Sequence, residues 1–148
     1  MVIRKAEARD VSRIGEILVF NNRINFFPIF RDEEYSFGEM QVINIAGEYM
    51  KDENLMNSTW VYDDGIVRGF IRIASGEIIK LFVDPFFQGR GIGAKLLEFA
   101  MEDHHVNRLW ALEKNERAIR FYERHGFRLT GERIFEEGTT VYLVRMKI

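Results

Sequence analysis

The sequence predicts an α/β domain built on a mixed sheet, and three observations carry that expectation. Apolar residues recur at helical spacing in two stretches of the first fifty residues, and the period shortens to that of strands from about residue 59. The third is a strand, turn, helix, strand unit centred on Val83-Asp84-Pro85-Phe86-Phe87-Gln88-Gly89-Arg90-Gly91-Ile92-Gly93. A helical crossover makes its two flanking strands natural parallel partners, whereas the hairpins around it pair antiparallel.

Val2 to Ala6 has the composition of a first strand, and Asp10 stands where it can cap a helix whose Val11, Ile14, Ile17 and Leu18 share one face. Val42, Ile45, Ala46, Tyr49 and Met50 follow the i, i+3, i+4, i+7, i+8 rule, which predicts a second helix over about Phe37 to Met50. Thr59 to Tyr62 and Val67 to Ile73 then read as strands joined through an Asp64-Gly65 turn. Ser75-Gly76 turns the chain into a strand over Glu77 to Val83, and a helix from Gly91 to about Asp103 leads to a parallel partner at Leu109 to Leu112. A short helix follows, with Gly126 placed as its left-handed C-terminal cap. The last element is a hairpin, near Ile134-Phe135 and Thr140 to Val144, joined through Glu137-Gly138.

The glycine-rich turn lies where a strand hands over to a helix N-terminus. Backbone N–H groups there lack intrahelical partners and the helix dipole is positive, so a pyrophosphate can be bound by main chain alone. Glycine lets the backbone approach the anion, and Arg90 can add a charge-assisted contact. The stretch Gly89-Arg90-Gly91-Ile92-Gly93-Ala94 also satisfies a dinucleotide fingerprint, with Glu113 near the place of a ribose-binding acid. A Rossmann domain, however, opens with that unit and continues with further crossovers, whereas hairpin strands precede it here. A Walker A loop fails because Lys95 is followed by Leu96. The bland alternative is a tight turn with no ligand.

A second island follows: Asn115-Glu116-Arg117-Ala118-Ile119-Arg120-Phe121-Tyr122-Glu123-Arg124-His125-Gly126-Phe127. Together with Gln88-Gly89-Arg90-Gly91-Ile92-Gly93 it makes the chain resemble the GCN5-related N-acetyltransferases, in which a Gln/Arg-x-x-Gly-x-Gly/Ala turn precedes an Asn-x-x-Ala-x-x-Phe-Tyr-x-x-x-Gly-Phe segment. The motif-bearing core covers roughly residues 59 to 146. The resemblance implies a mostly antiparallel central sheet with one parallel strand pair and about four helices. It implies acetyl-CoA as cosubstrate, held by Gln88, Gly89, Arg90, Gly91, Ile92 and Gly93 at the pyrophosphate and by Asn115 at the pantetheine arm. Tyr122 would sit beside the thioester sulfur and donate a proton to the departing thiolate. A backbone N–H near Phe82 and Val83 would stabilise the oxyanion. A homodimer is compatible with the resemblance.

Residue chemistry alone leaves alternatives beside these roles. Ala118, Phe121, Tyr122 and His125 share a helical face, so Tyr122 also fits a core aromatic with its hydroxyl toward solvent, and Asn115 also fits a simple N-cap. An amine attacks a thioester only when unprotonated, so a base or a proton-conducting water chain is required. Glu77 is the candidate base, since Glu77 to Val83 resembles the family segment that carries a catalytic glutamate in some members; a solvated carboxylate after a turn is the competing role. His104 and His105 are adjacent, point apart on a helix and cannot share an ion, so no metal is expected. They would face water and complement the helix dipole instead.

The acceptor is expected to be an amine-bearing small molecule or protein, received by the N-terminal region. Phe20, Phe26, Phe27, Phe30, Tyr35 and Phe37 there provide an apolar wall, of which half or more can be core packing, and Asp32, Glu33 and Glu34 can attract a cation.

Composition sets bounds on function. A chain of 148 residues suits one domain over residues 1–148, and 47% hydrophobic with 30% charged residues describes a soluble globular protein. A formal net charge of −2 gives no basic field for nucleic acid. The absence of cysteine removes disulfides, thiolate metal sites and a cysteine acyl-enzyme together. No apolar run approaches membrane-spanning length and the N-terminus has no apolar signal core, so a cytoplasmic location without membrane partners is expected. The expectation is an acetyl-CoA-dependent N-acetyltransferase working by direct transfer, the alternative being a non-catalytic acyl-CoA-binding or regulatory module of the same fold.

Overall fold

A computed structural model describes residues 2–148. Strand β1 (Ile3–Lys5) forms one edge of the sheet, and Arg4 on it bonds Asp10 at 2.8 and 2.9 Å and Asp63 at 3.0 and 3.1 Å. Helix α1 (Val11–Asn21) buries Val11, Ile14, Ile17 and Leu18, the face that its spacing predicts. Asp10 precedes that helix without capping it by its side chain. Its carboxylate instead accepts the Glu7 N–H at 2.8 Å and the Arg4 guanidinium, because a buried acid next to a strand arginine gains more from the ion pair than from a helix N–H.

The chain then winds through π-helical turns at Asn22–Phe26 and Glu34–Glu39, on either side of the single-turn α2 (Phe27–Phe30). Helix α3 (Val42–Lys51) starts later than its periodicity predicts, since Gln41 is extended and the preceding residues belong to the π turn. Ile45 and Tyr49 are buried, whereas Met50, assigned to the same face, is 60% exposed. A further single turn, α4 (Glu53–Asn57), is capped by Asp52. With these two short turns the α-helices among the described residues number six, four of them longer than a single turn or two.

From there the elements fall close to their predicted bounds: β2 (Thr59–Asp63), β3 (Val67–Ala74), β4 (Glu77–Val83), α5 (Ile92–His104), β5 (Arg108–Leu112), α6 (Glu116–Arg124), β6 (Arg128–Phe135) and β7 (Tyr142–Lys147). The sheet order is β1-β2-β3-β4-β5-β7-β6, antiparallel throughout except for β4 with β5. One face packs on α5 and α6 through Ile71, Ile78, Leu96, Leu109, Tyr122 and Phe127. The other packs on α1 and α3 through Ile14, Ile17, Val61, Phe70, Ile45 and Tyr49. Gly69 permits the close approach of β3 to β4: a Cβ there would lie 2.9 Å from the Phe82 carbonyl oxygen.

The feature that positions the site is the shortness of the parallel ladder. Only Glu77 with Arg108 and Ile78 with Leu109 are paired. Immediately afterwards β4 carries a bulge, since Ile73 pairs with Ile78 and Arg72 with Lys80, leaving Ile79 without a partner. Beyond it β4 and β5 diverge, and the edge of β4 that faces β5 has no ladder to satisfy its backbone groups.

Candidate active site

The exit of β4 is fixed from two sides. Asp84 is buried; one carboxylate oxygen accepts the Phe86 N–H at 2.8 Å and the other bonds Arg13 of α1 at 2.6 Å. The Val83 carbonyl accepts the Asn21 side-chain amide at 2.9 Å and that of Gln88 at 3.3 Å. Gln88 therefore turns back toward its own strand. Gly89 and Gly91 adopt φ of +80° and +79°, and a Cβ on either would meet nothing within 4 Å. Glycine is thus required by backbone conformation, and the space above the turn is open. With Gly93 in the first turn of α5, the unpaired N–H groups of the helix start face this opening.

A cavity of about 510 Å³ lies over the turn. Phe82, Val83, Gln88, Gly89, Gly91, Ile92, Gly93, Asn115 and Tyr122 line it. Arg90 does not; its guanidinium lies 5.2 Å from the Phe87 ring, which also receives Arg68 at 4.3 Å. Two arginines that sequence reasoning missed, Arg117 and Arg124 of α6, do line the cavity, and neither has an ion-pair partner among the described residues. Their seven-residue separation, two helical turns on one face, was the available signal.

Helix α6 is set by both caps. The Asn115 side-chain oxygen accepts the Ala118 N–H at 3.2 Å. At the other end Phe127 N–H reaches the Tyr122 carbonyl and Gly126 N–H that of Glu123, with Gly126 at φ +94°, as predicted for a left-handed cap. Tyr122 is thereby held with its ring edge-on to Phe121 and Phe127, at 5.2 and 5.8 Å. Burial pushes its phenol well above the ordinary tyrosine range, with no charged or hydrogen-bonding group adding to the shift.

On the α1 side of the sheet a second cavity, of about 1040 Å³, runs between the N-terminal π turns and the β6–β7 hairpin. Phe26, Leu81, Phe82, Asn115, Ala118 and Tyr122 line both cavities, so the two meet at the gap between β4 and β5. Of the N-terminal aromatics, Phe26, Phe30 and Tyr35 line this second cavity, Phe20 joins the α1–α3 core, and Phe27 and Phe37 pack on each other at 5.1 Å. Asp32 lines it, while Glu33 and Glu34 do not; Glu136 and Glu137, read from sequence only as part of a hairpin, do. Asn22 lines it too, and its buried side-chain oxygen has no donor among the described residues. Burial raises the Tyr35 phenol, reinforced by Glu39, Glu48, Glu136 and Asp32.

Glu77 is not part of either cavity. It sits at the closed end of the parallel ladder, where its carboxylate bonds Arg145 of β7 at 2.5 Å and lies 3.9 Å from Arg108. Cross-sheet ion pairing thus engages this acid away from both cavities. His104 packs against Trp60 and Phe99 at 4.4 and 5.0 Å instead of facing water alone, and His105 terminates α5 in the left-handed region. Among the described residues no group of three His, Cys, Asp or Glu side chains is placed to hold a metal, and no helix is long and apolar enough to cross a membrane.

Comparison with known proteins agrees with this geometry. Residues 56–129, half of the chain, match the model of the acetyltransferase (GNAT) domain. The peptidyl-lysine N-acetyltransferase YiaC of Escherichia coli is 35% identical over 83 residues, covering 54% of this chain and 57% of that protein, so the chain spans little more than half the length of this relative. An N-acetyltransferase structure from Staphylococcus aureus Mu50 superposes with a TM-score of 0.81 at 18% identity over the whole of both chains. The PaiA N-acetyltransferase of Thermoplasma acidophilum in complex with coenzyme A does so with a TM-score of 0.69 at 20% identity, over 99% of this chain and 98% of that one. With a glycine turn at a helix start, a β4–β5 gap and a capped tyrosine helix in the family's order, the chain belongs to the GNAT acetyltransferases.

Proposed function

We propose that the protein is an acetyl-CoA-dependent N-acetyltransferase that passes the acetyl group directly to a primary amine. The observation that carries this is the junction: a cavity over the glycine turn and a cavity with an acidic wall share Asn115 and Tyr122 at the place where the sheet opens between its parallel strands. The pyrophosphate would rest on the N–H groups of Gly91 to Gly93, the pantetheine amides would add to the free edge of β4, and the thioester would reach the gap beside Tyr122. A protein lysine is the first acceptor to test, supported by the relative YiaC and by Asp32, Glu136 and Glu137 on the cavity wall.

The chemistry follows from the groups at the gap. The acceptor must shed a proton, and with Glu77 engaged by Arg145 that proton goes to water in the wide acceptor cavity. An N–H of β4 near Phe82 and Val83 steadies the oxygen of the collapsing thioester. Tyr122, kept neutral by burial, then donates to the departing sulfur. Its place at the junction of the two cavities favours the enzyme over a binding module. The test is thiol release from acetyl-CoA against a panel of amines that includes lysine peptides, with CoA and NAD compared by thermal shift. Stabilisation by CoA, none by NAD, and thiol release with an amine are expected; no thiol release with any amine and no CoA shift would overturn the assignment.

A further inference from the structure

Lys80 is a cavity-lining group for which the proposed reaction has no use. It lies on β4, directly opposite Arg72 in the antiparallel register, and forms no ion pair or hydrogen bond with a carboxylate among the described residues. Two like charges opposite each other on one sheet face repel. The Arg72 charge is held in place by its bond to Ser58 at 3.1 Å, so relief comes most readily from Lys80 giving up its proton. Desolvation by burial acts in the same direction and is the larger effect; the charges of Glu136 and Glu48 oppose it.

Position completes the argument. Lys80 and Phe82 share a face of β4, so their Cα atoms are separated by about 6.6 Å at the usual strand rise. A lysine side chain is of comparable length, and Phe82 lines the junction where both cavities meet. A poorly solvated amine thus stands within one side-chain length of the place where an acetyl thioester would be held, as part of the same molecule. Intramolecular placement of this kind raises the effective concentration of a nucleophile far above that of any amine in solution.

Resting on the N-acetyltransferase assignment, we propose that the protein acetylates its own Lys80 when acetyl-CoA is bound and no acceptor fills the cavity. The Lys80 Nζ attacks the thioester carbonyl carbon; the N–C bond forms and the C–S bond breaks. The leaving thiolate takes a proton from Tyr122, and the proton lost by the nitrogen returns through cavity water to the phenolate. Neutral lysine and acetyl-CoA become N-acetyl-lysine and CoA thiol, with no further reactant. The added acetyl group narrows the acceptor cavity, so the modified protein is less able to receive an amine.

The experiment is incubation of the full chain with acetyl-CoA alone, followed by intact mass and peptide mapping over time. A single acetyl group on Lys80 is expected, gained at a per-molecule rate independent of protein concentration and at least about tenfold faster than on exposed Lys51 or Lys114. Tyr122→Phe should slow modification of Lys80 without altering that of Lys51, and Lys80→Arg should remove the fast acetylation. Lys80 left unmodified, modified no faster than Lys51, or modified equally fast in Tyr122→Phe would overturn the proposal. Thiol release with external amines alongside a bare Lys80 would refute self-acetylation alone; loss of both would refute the transferase assignment as well.

Discussion

Replacing Tyr122 with Phe deletes one atom from the junction and little else. The ring keeps its edge-on contacts with Phe121 and Phe127, at 5.2 and 5.8 Å, and no intramolecular hydrogen bond is broken. Stability should therefore stay within about 0.5 kcal/mol of wild type. Turnover is another matter. Positioned general acids typically contribute about 10²–10⁴-fold, and a thiolate, whose conjugate acid has a pKa of about 8.5, needs that help least. A fall in kcat of about 10²-fold, or about 2.7 kcal/mol of activation free energy, is expected. The assay is thiol release at saturating amine and acetyl-CoA, with Tm and CoA affinity measured on the same samples. Burial favours the protonated phenol in the folded state, so its contribution to stability is complete below about pH 10 and is lost as pH rises above that value. Tyr122→Phe should lack this part of the alkaline loss. An unchanged kcat would return Tyr122 to the role of a core aromatic, and a Tm that fell in parallel with kcat would make the hydroxyl structural.

Glu77→Gln should leave the pH profile of kcat unchanged and lower stability by about 1 kcal/mol, since it weakens a partly buried cross-sheet pair with Arg145; a lost ionisation in the profile would identify Glu77 as the base. Gly91→Val forces a β-branched residue to φ +79°, at a cost of at least about 1–2 kcal/mol, and should abolish the CoA-induced rise in Tm while the protein still unfolds cooperatively; an intact shift would place the pyrophosphate elsewhere. Asp10→Asn takes from Arg4 its buried ionic partner while leaving its bonds to Asp63, and should cost about 2 kcal/mol by denaturant titration. Burial alone would raise the Asp10 carboxyl, but bonds from Arg4 and the Glu7 N–H outweigh it and hold it below the usual aspartate range. Its contribution is therefore present above about pH 4 and fades on further acidification; a mutant with the wild-type acid limb would contradict this.

What could be read from the chain divides by the range of the interactions. The hairpin at Asp64-Gly65, the β4 to α5 turn and the α6 caps are local, written in glycines and in a period of two or 3.6, and they stand where the pattern put them. The gap between β4 and β5 is not local. Both segments read as ordinary strands, and nothing near Ile79 announces that one residue will be left out of register. The surroundings of Glu77 were illegible for a related reason: its motif position points to a base, and the bond of its carboxylate to Arg145, 68 residues away, has no local signal. The π turns around α2 escaped because Gly38 and the aromatic run there fit a helix as well as a wider coil. Consequently the N-terminal aromatics could be named without knowing that Phe30 would face a cavity and Phe20 the core. Asn22, whose oxygen lacks a donor, has no sequence signature at all.

Every residue of β6 is exposed, and the turn joining it to β7 supplies Glu136, Glu137 and Thr139 to the acceptor cavity. The cofactor wall, by contrast, is made from α5 and α6, anchored by Leu96, Ala100 and Phe127 in the main core. In the proposed reaction the two substrates are thus received by material of very different tolerance. Sequence drift at 136–141 changes the charge and width of the acceptor cavity at almost no expense in folding, whereas drift over Gly89 to Gly93 is punished at once. A scaffold divided this way can acquire a new acceptor by altering one hairpin tip while the acetyl-donating half is inherited intact.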